Sequence, residues 1–162
     1  MLESKRCIIR GFQRSDITEI RKLYKSEEVR KYLGGVPQGE SIELSLKELE
    51  YPPKGSFYWI IREKQTDEFI GLASLDPHHD GVNIELSYQL LPRWWGRGYA
   101  TEILQLIVTH VLNDLNLTKI IAETQTANTA SCRLLEKVGM KKEQILIRFG
   151  AEQAIYSLKK KI

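Results

Sequence analysis

A strand that stops at a proline, a glycine turn and a helix that starts at once constrain this chain more than any other feature. Residues 93–101 read RWWGRGYAT, and Pro92 stands just before them. From Ala100 the apolar residues fall at Ile103, Leu104, Ile107, Val108, Val111 and Leu112, one face of an α-helix. Upstream, Val82 to Leu91 alternates as a long strand does. Glycines at such a junction permit positive φ and close backbone approach. A helix N-terminus offers unpaired N–H groups and about half a positive charge. Arg97 adds a cation at the same mouth. The turn is thus either a phosphate or pyrophosphate cradle, or a tight connection that needs glycine for shape alone. The motif in isolation does not decide between them.

Two common phosphate motifs fail here. A Walker A loop carries Lys-Ser/Thr after its last glycine, where Tyr99-Ala100 stands. A dinucleotide fingerprint needs Gly or Ala at the position of Thr101 and follows the first strand of its βαβ unit. Here the loop lies more than halfway along 162 residues.

The flanking segments define the architecture. Cys7 to Arg10 reads as a first strand. Ser15 or Asp16, the latter with Glu19 in capping-box spacing, caps a helix whose apolar face is Ile17, Ile20 and Leu23-Tyr24. A short helix over Ser26 to Tyr32 stops at Gly34-Gly35, and another, with Ile42, Leu46 and Leu49 inward, stops before Pro52-Pro53. Phe57–Arg62 and Phe69–Leu75 make a hairpin. After the central helix come a strand at Lys119–Glu123 and a helix at Thr129–Val138 with Gly139 as its left-handed C-cap. A closing strand pair, Leu146–Phe149 and Ala154–Leu158, precedes a solvated lysine tail. The expectation is an α/β (α+β) domain over residues 1–162, a mixed sheet with helices on both faces.

Composition narrows the function. A net charge of +3 is too small to argue for nucleic acid. No apolar run approaches a membrane span, and the first residues lack a signal-peptide core. Two cysteines make no disulfide framework, so a reducing cytoplasm is the expected setting. His78-His79-Asp80 sits in a polar turn with no third ligand in view, so no metal is expected. Cys132 lacks a histidine at useful spacing and reads as a buried structural thiol. One of Trp94 and Trp95 is expected to pack under the loop and the other to stand at the mouth. Tyr58 and Trp59 read as core, and His110 as a surface or capping residue.

A second segment, AETQTANTASCRLLEKVGM over residues 122–140, adds the deciding context. Together with RWWGRGYAT it resembles the acyl-CoA N-acyltransferase (GNAT) superfamily. The first motif resembles that family's Q/R-x-x-G-x-G/A loop on Trp95, Gly96, Arg97, Gly98, Tyr99 and Ala100, with Trp95 where Gln or Arg is usual. The second resembles its N-x-x-S segment, on Asn128, Ser131, Leu134-Leu135, Lys137 and Gly139-Met140. The opening CIIRGFQRSDITEIRKLYKSEEVRKYLG, then FYWIIREKQTDEFIGLASL and IELSYQLLPRWWGRGYATE, are similar to the branch of ribosomal-protein N-terminal acetyltransferases.

The resemblance implies a mostly antiparallel sheet of about seven strands, splayed between the fourth and fifth. It also implies direct acetyl transfer from acetyl-CoA to an amine, a protein N-terminus or a small molecule. The backbone of Gln89, Leu90 and Leu91 would pair with the pantetheine arm, Gly96 to Thr101 would bind the pyrophosphate, and Asn128 would hydrogen-bond the pantetheine. Leu90 N–H would polarise the thioester. Glu85 and Glu123 both stand as candidate bases, with a water chain as the third option. The tyrosine many relatives carry seven residues after the Asn is Leu135 here. Ser131 is the expected substitute donor, or else it caps its helix. A CoA-binding module without turnover is the alternative from another class. The acceptor and the choice between monomer and homodimer stay open.

Overall fold

The computed structural model describes residues 1–161. Among them, eight strands form one sheet in the order β1-β2-β3-β4-β5-β6-β8-β7. The strands are β1 (Leu2–Glu3), β2 (Cys7–Arg10), β3 (Phe57–Glu63), β4 (Phe69–Pro77), β5 (Ile84–Leu90), β6 (Lys119–Gln125), β7 (Lys141–Arg148) and β8 (Ala151–Lys159). The helices are α1 (Ile17–Lys25), α2 (Glu27–Arg30), α3 (Gly39–Glu50), α4 (Tyr99–Thr109) and α5 (Thr129–Lys137). The two-residue β1 raises the strand count to eight; two residues carry too little pattern to be read from sequence. The closing pair is longer than its apolar residues imply, because β7 opens with the exposed Lys141 to Gln144.

Side chains on the sheet sort by the period of two. Ala73, Leu75, Leu86, Leu90, Ala122 and Tyr156 face α4 and α5, packing with Ile103, Leu104, Ile107 and Leu135. Ile60 and Leu72 face the other way, onto Ile20, Leu23, Ile42, Leu46 and Leu49 of α1 and α3. Helices therefore cover both faces. Asp16 does not cap α1 with its side chain. It is buried and takes Arg10 in a two-bond ion pair at 2.9 Å, with Arg62 at 3.3 Å.

All neighbouring strand pairs but one are antiparallel. The exception is β5 with β6, joined in parallel at a single register pair, Glu85 with Ile121. Past that point β5 stays on β4 through Leu90, while β6 stays on β8 through Gln125. The sheet opens into a cleft there. Gly71 sits opposite Leu90 at the mouth, and a Cβ on it would fall 2.1 Å from Gln89 O. Only glycine lets β5 lie so close on β4, and that lean away from β6 keeps the cleft open.

Candidate active site

The loop after β5 is fixed by its two tryptophans. Trp94 is buried, its indole Nε1–H donating to Phe69 O at 3.0 Å and its ring edge-on to Tyr99. Trp95 is exposed, and its Nε1–H donates to Leu90 O at 2.9 Å. The packing and mouth positions thus fall to Trp94 and Trp95 respectively. Gly96 and Gly98 have φ of +68° and +81°, the left-handed region that glycine occupies without strain. Gly98 is the N-cap of α4, so the amides of Tyr99, Ala100 and Thr101 form its open first turn. Arg97 lies over Trp94 and Tyr99 at 5.1 and 5.3 Å, with its charge beside that turn.

Arg6 also belongs to this loop, though nothing in its own neighbourhood announces it. Its Nη1 donates to Arg97 O at 3.0 Å and its guanidinium lies 3.9 Å over the Tyr99 ring. Glu102 holds it at 2.8 Å. The turn between β1 and β2, at the far edge of the sheet, therefore braces the glycine turn, a tertiary contact with no local signal.

The cleft edge of β5 follows from one hydrogen bond. Leu91 N–H donates to Ile70 O on β4. Backbone groups of successive residues point to opposite edges, so Leu90 N–H and C=O face the side β6 has left. The carbonyl is taken by Trp95 and the N–H points into the cleft. Gln89 lies on the helix α1–α3 face, with a buried Oε1 that meets no donor among the described residues.

The two candidate bases share that face. Glu85 pairs with Asp76 across β4 and with Ile121 on β6. Burial pushes its pKa above the ordinary carboxylate range. Glu123 and Asp76 push it the same way, against His78 and the Glu123 backbone N–H. Glu123 is differently placed. His78 Nε2 lies 2.8 Å from its Oε1, and Arg148 Nε lies 3.3 Å from its Oε2 as an ion-pair contact. His78, expected in a solvated turn, is buried. The turn folds back because Asp80 Oδ1 accepts the amides of Val82 and Asn83, and this carries His78 under the sheet end. Asp80 is held below the usual carboxylate range by those two bonds and Asn83 Nδ2. Among the described residues no cluster of three His, Cys, Asp or Glu is arranged for a metal ion.

The helix α5 side holds the rest. Asn128, not Ser131, caps α5: its Oδ1 accepts Ser131 N–H at 3.2 Å. Ser131 Oγ instead meets the Tyr88 hydroxyl at 2.6 Å. Leu135 is fully buried. Cys132 is only half-buried, with Sγ 3.9 Å from Gln125 O. Tyr58 and Trp59 are half-buried too. Tyr58 donates to Asp76, and Trp59 packs against Phe57 and His110. His110 is half-buried and pairs with Asp114 at 2.8 Å. The sequence candidates thus divide: Glu85, Glu123 and Gln89 on one face of the cleft, Ser131 and Asn128 beyond the other, Leu90 N–H between them.

The donors fit an acyl-CoA. A strand edge without a partner suits an extended amide arm, and an open first turn beside Arg97 suits a diphosphate. The comparisons agree. The acetyltransferase (GNAT) domain profile matches residues 6–141. The chain is 31% identical over 157 residues to the uncharacterized N-acetyltransferase YoaA of Bacillus subtilis, covering 92% of this chain and 87% of that one. It is 27% identical to the uncharacterized N-acetyltransferase p20 of Bacillus licheniformis, covering 90% and 84%. A GNAT-family acetyltransferase from Bacillus anthracis superposes with a TM-score of 0.84 at 22% identity, covering 98% of each chain. A spermidine N-acetyltransferase from Vibrio cholerae, solved with CoA and spermine, gives 0.83 at 17%, covering 95% of each. A cleft opened between two parallel strands, a glycine-capped helix at its mouth and a domain profile spanning most of the residues have one common reading: this chain is an acetyltransferase of the GNAT family.

Proposed function

We propose that the protein acetylates a primary amine, on a protein N-terminus or a small molecule, with acetyl-CoA as donor. The observation that carries this is the single β5–β6 pair at Glu85, beyond which Leu90 N–H stands on an open strand edge. Acetyl-CoA supplies the acyl group as a thioester. The amides of Gly96 to Thr101, with Arg97, hold its diphosphate. Leu90 on the open edge of β5 and the Asn128 side chain hold its arm, the expected Gln89 and Leu91 backbone contacts being lost because those groups turn to β4, and Leu90 N–H donates to the carbonyl oxygen where charge develops.

Glu85 is the base in this reading. Both oxygens of Glu123 are engaged by His78 and Arg148, whereas Glu85 has no ion-pair partner among the described residues. A raised pKa brings Glu85 nearer the operating pH, where a general base is most effective. It takes the proton of the incoming ammonium. The freed lone pair forms the C–N bond, the C–S bond breaks, its electron pair leaves on sulfur, and the nitrogen sheds its second proton to solvent to leave the neutral amide. Ser131, across the cleft, donates a hydrogen bond to that sulfur. Asp76, Glu85 and Glu123 share the acceptor face, where Arg148 pairs with Glu123, and this acidic balance favours an ammonium as the incoming group.

The test is thiol release from acetyl-CoA with peptides of different N-terminal residues, polyamines, amino acids and aminoglycosides. The control is Arg97→Glu, an exposed charge reversal at the diphosphate mouth. Release with one acceptor class, strongly weakened in the control, is expected. Tight acetyl-CoA binding without release for any amine overturns turnover, and equal binding by Arg97→Glu overturns the diphosphate assignment.

A further inference from the structure

We infer that the Tyr88 hydroxyl is a positioning residue for acetyl transfer: it holds the Ser131 hydroxyl aimed at the departing thiolate. The inference rests on the transferase reading above. Three observations carry it. The Tyr88 hydroxyl and Ser131 Oγ are 2.6 Å apart. Tyr88 stands two residues before Leu90 on β5, so its side chain leaves the same face and its backbone lies on the same cleft edge as the Leu90 N–H. Ser131 sits in the first turn of α5, which follows β6, the other lip of the cleft. The bond therefore links both lips at the level where the thioester carbonyl is polarised.

A lone serine hydroxyl is a weak handle for a thiolate, because it rotates freely and shares its hydrogen with any acceptor nearby. The phenol changes that. Burial pushes the Tyr88 pKa up to about 12, so the phenol stays protonated at every working pH. With its hydrogen on Ser131 Oγ, the serine accepts one bond and has its own O–H left to give. Paired hydroxyls polarise one another, which makes the outer one the stronger donor. As the C–S bond breaks, its electron pair stays on sulfur and the Ser131 O–H meets that charge. The phenol keeps its proton throughout, and the thiol gains its own from solvent after release. Leu135 is buried and carries no hydroxyl, so this strand tyrosine reaches the position from β5 instead of from the helix.

The test uses the full chain with the amine that gives release. Tyr88→Phe removes one oxygen and is expected to lower kcat about tenfold with KM for acetyl-CoA unchanged. Ser131→Ala is expected to lose a similar factor, and the double variant no more than the worse single, since the two act as one unit. Ser131→Thr keeps a hydroxyl and is expected to recover most of the rate. The unfolding midpoint of Tyr88→Phe should match wild type. Unchanged kcat in Tyr88→Phe, or losses that multiply in the double variant, overturns the inference while leaving the transferase intact. So does a rate loss that follows a lowered midpoint, since the bond is then only a tether for α5. A wild-type chain that binds acetyl-CoA and acetylates no amine overturns the transferase reading and this inference with it.

Discussion

His78 Nε2 lies 2.8 Å from Glu123 Oε1, with the imidazole closed off from solvent. Its other nitrogen, Nδ1, accepts the Asp80 backbone N–H at 3.2 Å. In the neutral ring the proton is therefore on Nε2 and is donated to Glu123. The pair joins the turn after β4 to β6, and Arg148 extends the link to the end of β7. Removing one member leaves a buried polar group without its partner. His78→Ala is expected to lower the unfolding free energy by about 1–3 kcal/mol. Glu123→Gln should cost a similar amount yet reduce kcat less than tenfold. Urea titrations and steady-state rates check both. A rate loss of several hundredfold in Glu123→Gln would return it to the role of base.

Glu85 is the opposite case, a carboxylate placed for reactivity against stability. Its folded pKa lies above its unfolded value, through burial first and then Glu123 and Asp76. Between those two values the folded state binds more protons, so stability falls as pH rises through the window, and the deficit is complete above it. Glu85→Gln keeps the shape and removes the charge. It should be at least as stable as wild type near neutral pH, with the difference closing toward about pH 4, where the unfolded glutamate also holds its proton. The same change should reduce kcat/KM by roughly 10²–10⁴-fold and abolish the rise of rate with pH that tracks Glu85 ionisation. Denaturant titrations at acid and neutral pH, with pH–rate profiles, decide it. A variant that is active and less stable contradicts the assignment.

What could be read in the sequence follows from the range of each signal. Periodicity carried α1, α3, α4 and the central strands because a buried face repeats within ten residues. The glycine turn was legible because positive φ needs glycine locally, as at Gly96 and Gly98. His78 was not, since the Asp80 side chain two residues on turns the loop inward and no hydropathy pattern records that. Arg6 was not, because its partners lie more than ninety positions along the chain. Tyr88 is one position of the alternating strand Val82 to Leu91, and only the approach of α5 gives its hydroxyl a partner. The capping roles at Asn128 and Ser131 are three residues apart and chemically alike, so spacing alone could not separate them.

Trp95 departs from the usual glutamine or arginine of its motif, and its hydrogen bond to Leu90 O gives the reason. The indole reaches back to the strand and occupies the one acceptor beside the Leu90 N–H. Trp95→Phe keeps the ring and loses the donor. The freed carbonyl then turns its partial charge toward the bound acyl group and the turn loses an anchor. One hydrogen bond is worth about 1 kcal/mol, so acetyl-CoA should bind roughly fivefold more weakly. Calorimetric titration of acetyl-CoA reads this directly, and unchanged affinity would mean that the bond is incidental to the cleft.

Gly71 is the last point at which a single atom decides the site. Its ideal Cβ would fall 2.1 Å from Gln89 O and 2.9 Å from Leu90 Cα, both backbone atoms that no rotamer change can move. Gly71→Ala must push β5 away from β4, and the only open direction is toward β6, across the cleft. Overpacking of this kind costs about 1–3 kcal/mol. The displaced strand also carries the Leu90 N–H, so acetyl-CoA affinity should fall further than the stability loss explains, by tenfold or more. An ordinary exposed strand position would gain from the same change, because alanine costs less backbone entropy than glycine. Unfolding titrations and acetyl-CoA binding on the one variant separate these outcomes. Gly71→Ala with wild-type stability and affinity would show that β5 has room to spare and that the cleft is held open by something other than this contact.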